Sequence, residues 1–337
     1  HWPKRISFHG MITSGGEKMS KSKGNQVTLL EVNNKFGPDA FRAFMCNSTS
    51  VESAFNWESS LVYQMKKHLF DLFETIKAIQ ANKKESDAFK KYPAFVSRTE
   101  RALIDATKAI EKMDLRNYSR IVLHDLLHNY KKARNSVEEA DLPSINAFIG
   151  GKWVKLLCPL VPHLAEELWS IGGSQGFVSL AEWPQADESL IDLKLEKIED
   201  VISGLRLDIL KTKGLAKLEN ISRVKVFVAP EWKWKAIEIV KKACREKPDF
   251  NTAMKALMAD NEMKKHAGEV PALAKTILYR LGELMELELF DEFSAVNEAK
   301  KTLEKELDCK VEAIKAEEST EPKAKNSFPG KPAILIE

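Results

Sequence analysis

Between Gly15 and Asn25 the chain reads GGEKMSKSKGN. Lys18, Lys21 and Lys23 offer mobile ammonium donors that can follow a migrating negative charge, and the flanking glycines let the backbone come close to a ligand. Phosphoryl and nucleotidyl transfer ask for such a set, because the protein's task there is to position phosphates and neutralise charge growing on a leaving pyrophosphate. Met19 is the one apolar anchor, so the stretch cannot bury a core and reads as a surface loop. A solvated lysine run on a linker has the same composition, and the chemistry alone leaves both readings open.

Other stretches carry weaker chemical signals. In HDLLH, His124 and His128 share a helix face as in a zinc protease, with aspartate in place of glutamate, but no third ligand suggests itself and no metal is expected. His163, Glu166 and Glu167 could be imagined as an acid and base pair, but they sit on a helix of the bundle and the structural reading is preferred. Trp232 and Trp234, flanked by Lys233 and Lys235, suit base stacking combined with phosphate contact. Two positions apart on a helix they point in different directions, so at most one is expected to be buried.

The elements that position these groups follow from period and punctuation. Residues 5–13 alternate as a strand leading into the lysine loop. Two short helices come next, 28–36 closed by Gly37 and 38–46 opened by Pro38. Leu61, Met65, Leu69, Leu72, Ile76 and Ile79 form one stripe of a long amphipathic helix. Helices are expected at 98–113, at 119–137 with Ser119 as cap, and at 144–169 with a break at Pro159 and Pro162 and a fresh start near His163. Together these make an antiparallel bundle. Residues 172–184 read as an extended exit.

Beyond it the pattern changes to a helix near 188–213, a strand at 222–229 and a helix at 231–246. Helices near 250–259, 270–283 and 292–307 follow, then strands at 309–316 and 332–337, with 317–331 as a mobile connector. The fold class is mostly α with a C-terminal α+β domain, divided as 1–59, 60–187 and 188–337.

A chain of 337 residues, 44% hydrophobic and 30% charged, suits two or three domains, and no apolar run is long enough to span a membrane. The four cysteines form no C-x-x-C pair, which points to a reducing, cytoplasmic setting. Net charge is only +3, yet residues 211–247 hold eleven Lys/Arg against four Glu, while 283–321 hold thirteen Asp/Glu against five Lys. A polyanion would favour the first stretch and avoid the second. His1-Trp2-Pro3 is an unusual start and suggests a beginning inside a longer protein.

KMSKS, Lys18 to Ser22, followed by Gly24-Asn25, resembles the second signature of class I aminoacyl-tRNA synthetases. LCPLVPHLAEELW and LAEWP are similar to the bundle of the leucine, isoleucine and valine enzymes. VFVAPEWKWKAIEIV, EAKKTLEKELDCKVE and AKNSFPGKPAILIE resemble the archaeal and eukaryotic type of leucyl-tRNA synthetase. The resemblance implies a class I catalytic tail, an anticodon-binding-type bundle and a C-terminal tRNA-binding domain.

It also implies roles. Lys18, Met19, Ser20, Lys21 and Ser22 close over ATP, which arrives with Mg²⁺ as a substrate complex, and Lys21, assisted by Lys18, stabilises pyrophosphate. Arg116, Lys131, Lys132 and Arg134, grouped around one helix pair, are the bundle's candidates for the tRNA(Leu) backbone, although ordinary surface charges explain them equally well. Trp232, Lys233, Lys235, Ile336 and Glu337 are those of the last domain, although a plain edge strand explains the tail equally well.

The family's H-x-G-H signature is absent, since His9-Gly10-Met11 departs from it. The nucleotide-binding fold before the loop and the inserted editing domain are absent too. The expectation is therefore a C-terminal fragment, or the smaller chain of a split leucine–tRNA ligase, inactive without an upstream catalytic part that holds leucine. The alternatives are a stand-alone tRNA-binding protein with a relic loop, or part of an isoleucyl, valyl or methionyl enzyme.

Overall fold

Gly15 and Gly16 both lie at positive φ, +63° and +78°, and turn strand β1 (Ile12–Ser14) back onto β2 (Glu17–Lys18). In the computed structural model, residues 10–50, 52–217, 220–245, 248–285 and 287–337 are described, and the chain divides into two compact units, residues 1–192 and 193–337. Most of the strand expected at residues 5–13 falls on residues outside the described ones; the described part begins only at Ile12.

In the first unit β1 also pairs in parallel with β3 (Phe55–Trp57), Ile12 opposite Phe55, a strand too short to show in the sequence. Helix α1 (Leu29–Phe36) begins with a capping box: the Thr28 hydroxyl accepts from Glu31 N–H and the Glu31 carboxylate accepts from Thr28 N–H. These bonds hold the Glu31 carboxyl below its usual range. Gly37, at φ +88°, separates α1 from α2 (Pro38–Ser48).

Helix α3 (Ser59–Ala81) buries Met65, Leu69, Leu72, Ile76 and Ile79 as the stripe predicts, but its first member is Val62; Leu61 is 42% exposed. The bundle continues with α4 (Pro93–Glu111), α5 (Leu115–Arg120) and α6 (Leu126–Arg134), the last two joined through a single wider π turn at Ile121–Asp125. Asp114, not Ser119, caps α5; Ser119 is buried and donates to Asn47 Oδ1. Helices α7 (Leu142–Leu157) and α8 (Pro162–Ile171) flank the expected proline break. Tyr118, Leu72, Leu103, Leu123, Ile149 and Trp153 fill the core, and Trp153 Nε1 donates to the Val122 carbonyl inside the π turn. Glu166 accepts from Val178 N–H and Ser179 N–H, so the segment after α8 is strapped back onto it.

The second unit is built on a three-stranded sheet, β4 (Arg223–Val228) between β5 (Lys310–Lys315), parallel to it, and β6 (Ala333–Ile336), antiparallel. Helices α9 (Leu193–Leu215) and α15 (Glu292–Leu307) bury Leu205, Ile209, Val296 and Leu303 against Val224, Val226 and Val311. A separate core joins α10 (Glu231–Ala243), α11 (Phe250–Ala259), α12 (Asn261–Lys265), α13 (Val270–Tyr279) and α14 (Leu281–Met285). The fold is mostly α, with an α+β second unit. Residues 317–331 are not a loose connector: two short 3₁₀ turns and a Phe328–Lys331 bridge organise them, and Ala324, Ser327 and Phe328 are buried.

Candidate phosphate loop and basic surfaces

The lysine loop has a defined backbone. Met19 is half-buried and packs with Ile12 and Val27 on the first unit's core, which anchors one side. Asn25 closes the other: its Oδ1 accepts from Ser20 N–H at 2.8 Å and its Nδ2 donates to the Lys18 carbonyl at 3.2 Å. Ser20 and Ser22 hydroxyls lie 2.7 Å apart, and Gly24, at φ +66°, donates its N–H to the Lys21 carbonyl. At the base, Asn56 Oδ1 accepts from Gly16 N–H at 2.9 Å and Thr13 Oγ1 at 3.2 Å.

The three ammonium groups differ. Lys23 is committed to Glu17, with Nζ 2.7 Å from Oε2. Lys18 and Lys21 are exposed and make no ion pair among the described residues. Two uncommitted cations on a backbone pinned from both ends can receive an anion without first breaking an internal bond.

The basic residues of the bundle do not form one cluster. Arg116 lies in the first turn of α5 and Lys131, Lys132 and Arg134 in the last turn of α6, about 22 Å along the same helical run at about 1.5 Å per residue. Arg134 is also paired with Glu139 at 2.7 Å.

In the second unit the expected stacking platform is inside the fold. Trp232 and Trp234 are both buried, 7% and 5% exposed, which corrects the expectation of one inside and one outside. Trp232 stacks on His266 at 4.2 Å and 5°, and Trp234 meets Phe290 edge-on at 5.2 Å. Helix α10 is covered on both flanks, so the faces that would take bases are already used. Lys233 is buried as well, donating to the carbonyls of Lys325 at 2.9 Å and Ser327 at 2.7 Å, and burial pulls its ammonium below the usual lysine range. Lys235 is exposed but held by Asp260 and Glu262, both at 2.9 Å. Ile336 packs against the sheet, while the Glu337 carboxylate pairs with Lys225 at 2.5 Å and its backbone carbonyl accepts from Arg223 N–H.

The remaining candidates are structural partners. His124 stacks on His68 at 4.5 Å, and burial together with His68 pushes its ring below the ordinary histidine range; His128 is exposed. His163 Nδ1 stands 2.9 Å from Asp39 Oδ1. Among the described residues no group of three His, Cys, Asp or Glu could hold a metal ion, and no helix is long and apolar enough to cross a membrane.

Residues 93–228 match the family described as the anticodon-binding domain of tRNA ligase, and residues 3–58 that of class I tRNA synthetases (I, L, M and V). A leucine–tRNA ligase of Pyrococcus abyssi is 33% identical over 343 residues, covering all of this chain and 35% of the relative; one from Archaeoglobus fulgidus is 30% identical over 336 residues, covering 99% and 34%. The chain is a homologue of the C-terminal part of archaeal leucyl-tRNA synthetases. It spans about a third of the length of the curated leucyl-tRNA synthetases it matches. Among solved structures, the ternary complex of the Agrobacterium radiobacter K84 LeuRS with tRNA and LeuAMS superposes with a TM-score of 0.48 at 23% identity, over 55% of this chain and 24% of that one.

Sequence reasoning assigned no role to two asparagines of this leucyl-tRNA synthetase homologue. Asn25 stood inside the quoted signature, and its side chain is what fastens the loop. Asn56 lies about forty residues away in sequence; the only available signal was the general tendency of asparagine to bond backbone groups.

Proposed function

We propose that this chain contributes the pyrophosphate-stabilising loop and the tRNA-gripping parts to the ATP-dependent charging of tRNA(Leu) with leucine. Residues 1–59 then form the end of the catalytic domain, 60–187 the anticodon-binding-type bundle and 188–337 the C-terminal tRNA-binding domain. Leucine and the adenine end of ATP are held by parts of the enzyme outside the matched region, in the same polypeptide or in a separate subunit. The setting is the cytoplasm.

Leucine attacks the α-phosphorus of Mg²⁺-bound ATP, leucyl-adenylate forms, and pyrophosphate leaves carrying added negative charge. Lys21 donates to the departing phosphates, and Lys18 assists from the end of β2. Ser20 and Ser22, their hydroxyls 2.7 Å apart, help hold the loop closed, and Met19 keeps the loop attached. Such donors act where charge develops and need no reorganisation at that moment. The leucyl group then passes to tRNA, for whose backbone the exposed Arg116 and Lys131 and the half-buried Lys132 are candidate contacts. The observation that carries this reading is the pair of uncommitted lysines on a pinned loop, in a chain similar to leucyl-tRNA synthetases over its whole length.

The test joins this chain to the upstream part of the Pyrococcus abyssi relative and measures amino-acid-dependent exchange of pyrophosphate into ATP. Exchange with leucine, and none with isoleucine, valine or methionine, supports the reading. Tight tRNA binding without any exchange overturns it in favour of a non-catalytic tRNA-binding protein.

A further inference from the structure

The second unit contains a cavity of about 700 Å³, in the range that holds small ligands. Val228, Pro230, Trp234, Leu289, Phe290 and Phe293 give it an apolar wall. Six carboxyl groups line it, Glu231, Glu238, Glu262, Asp291, Glu292 and Glu317, against the ammonium groups of Lys194, Lys235 and Lys315. Lys235 is already committed to Asp260 and Glu262, and Lys315 lies over the Phe293 ring at 5.6 Å. Glu231 and Glu317 are exposed and have no ion-pair partner among the described residues.

Glu292 is the unusual member. The residue is 2% exposed, and both carboxyl oxygens are buried without a hydrogen-bond partner among the described residues. Burial pushes the carboxyl up to about 8; the backbone N–H groups of Ala229 and Gly330 lie near enough to pull the other way without completing a hydrogen bond. A buried polar group left unpaired calls for a physical explanation, and a positive charge brought beside it would supply the missing interaction. An anion would meet the opposite, a surplus of carboxylates at the mouth.

The form of the cation follows from the spacing. No three acidic groups among the described residues converge closely enough to hold a metal ion, so the carboxylates are spread along the walls with apolar surface between them. We propose that this cavity binds a linear aliphatic polyamine, its ammonium groups on Glu231, Glu317 and the Glu292 end and its methylene chain along Trp234, Phe290 and Phe293. No bond is made or broken; the binding energy comes from charge pairing and apolar contact.

The test is titration calorimetry of the 337-residue chain with 1,4-diaminobutane near neutral pH, in two buffers of different ionisation heat. The expected result is saturable one-site binding that releases protons, because a bound cation favours the ionised form of Glu292. Glu292→Gln abolishes the proton release and weakens binding about tenfold. The double variant Glu231→Gln/Glu317→Gln, altered only at exposed positions, weakens binding by a comparable factor while its unfolding midpoint stays in place. Absence of saturable heat up to about 10 mM diamine, equal affinity in all three proteins, or displacement by an equal charge of Mg²⁺ as a mere counterion would each overturn the site.

Discussion

Lys18 and Lys21 hold their ammonium groups in water on a loop whose backbone is fastened by Asn25, while Lys233, from an equally basic stretch, is turned inward onto the carbonyls of Lys325 and Ser327. Lys235, its neighbour, is held by two carboxylates. Local composition does not separate these cases. What separates them is the chain around each: the loop has one short apolar anchor and nothing to cover its cations, whereas α10 turns Trp232 onto His266 and Trp234 onto Phe290 and buries Lys233 between them. A lysine is available to a ligand when the fold leaves it unspent.

That contrast can be broken most sharply at Lys21. In the joined enzyme, Lys21→Ala should lower leucine-dependent pyrophosphate exchange about 100-fold, the usual cost of losing one donor to a developing anion. The thermal midpoint should not move, because the side chain is exposed.

Lys233→Ala should do the reverse. It leaves two carbonyls without their donor and should cost the second unit about 2 kcal/mol in urea unfolding, with exchange per folded molecule unchanged. Lys235→Ala, exposed, should leave the same midpoint in place.

Glu292 adds a pH dependence confined to the second unit. Folded Glu292 keeps its proton up to about pH 8, whereas in the unfolded chain it loses it near the ordinary glutamate value of 4.5, so folding takes up a proton between these limits. Stability should therefore fall as pH rises through that window and level off above it. Urea midpoints across the window should show this slope in the wild type, flattened in Glu292→Gln.

The smallest effect belongs to Asn25→Ala. Losing both amide bonds should loosen only the loop, by about 1 kcal/mol, seen as faster hydrogen exchange at the Ser20 amide with the global midpoint unchanged.

What the sequence made legible was whatever is decided locally. The four and three residue steps from Met65 to Ile79 specify a buried face without reference to a partner, and Pro159 with Pro162 must interrupt a helix wherever it packs. The lysine loop was legible because its composition forbids burial. The errors came where a distant segment decides. Lys233 is tied to residues 92 and 94 positions away, and these contacts order a connector whose polar composition suggests mobility. The π turn at Ile121–Asp125 lies in an ordinary-looking helical pattern that hides how Ser119 is carried inward to Asn47. Grouping Arg116 with Lys131 failed for a simpler reason: residues on one helix fifteen positions apart are far apart in space.

Side-by-side exchange assays of two variants of the joined enzyme, Lys18→Ala/Lys21→Ala and Lys233→Ala, with tRNA affinity measured on the same samples, test the central claim. The loop variant should lose leucine-dependent exchange by at least about 100-fold while binding tRNA as before, and the Lys233 variant should retain exchange in proportion to the folded fraction. Undiminished exchange in the loop variant would contradict the account, and so would an equal loss in both.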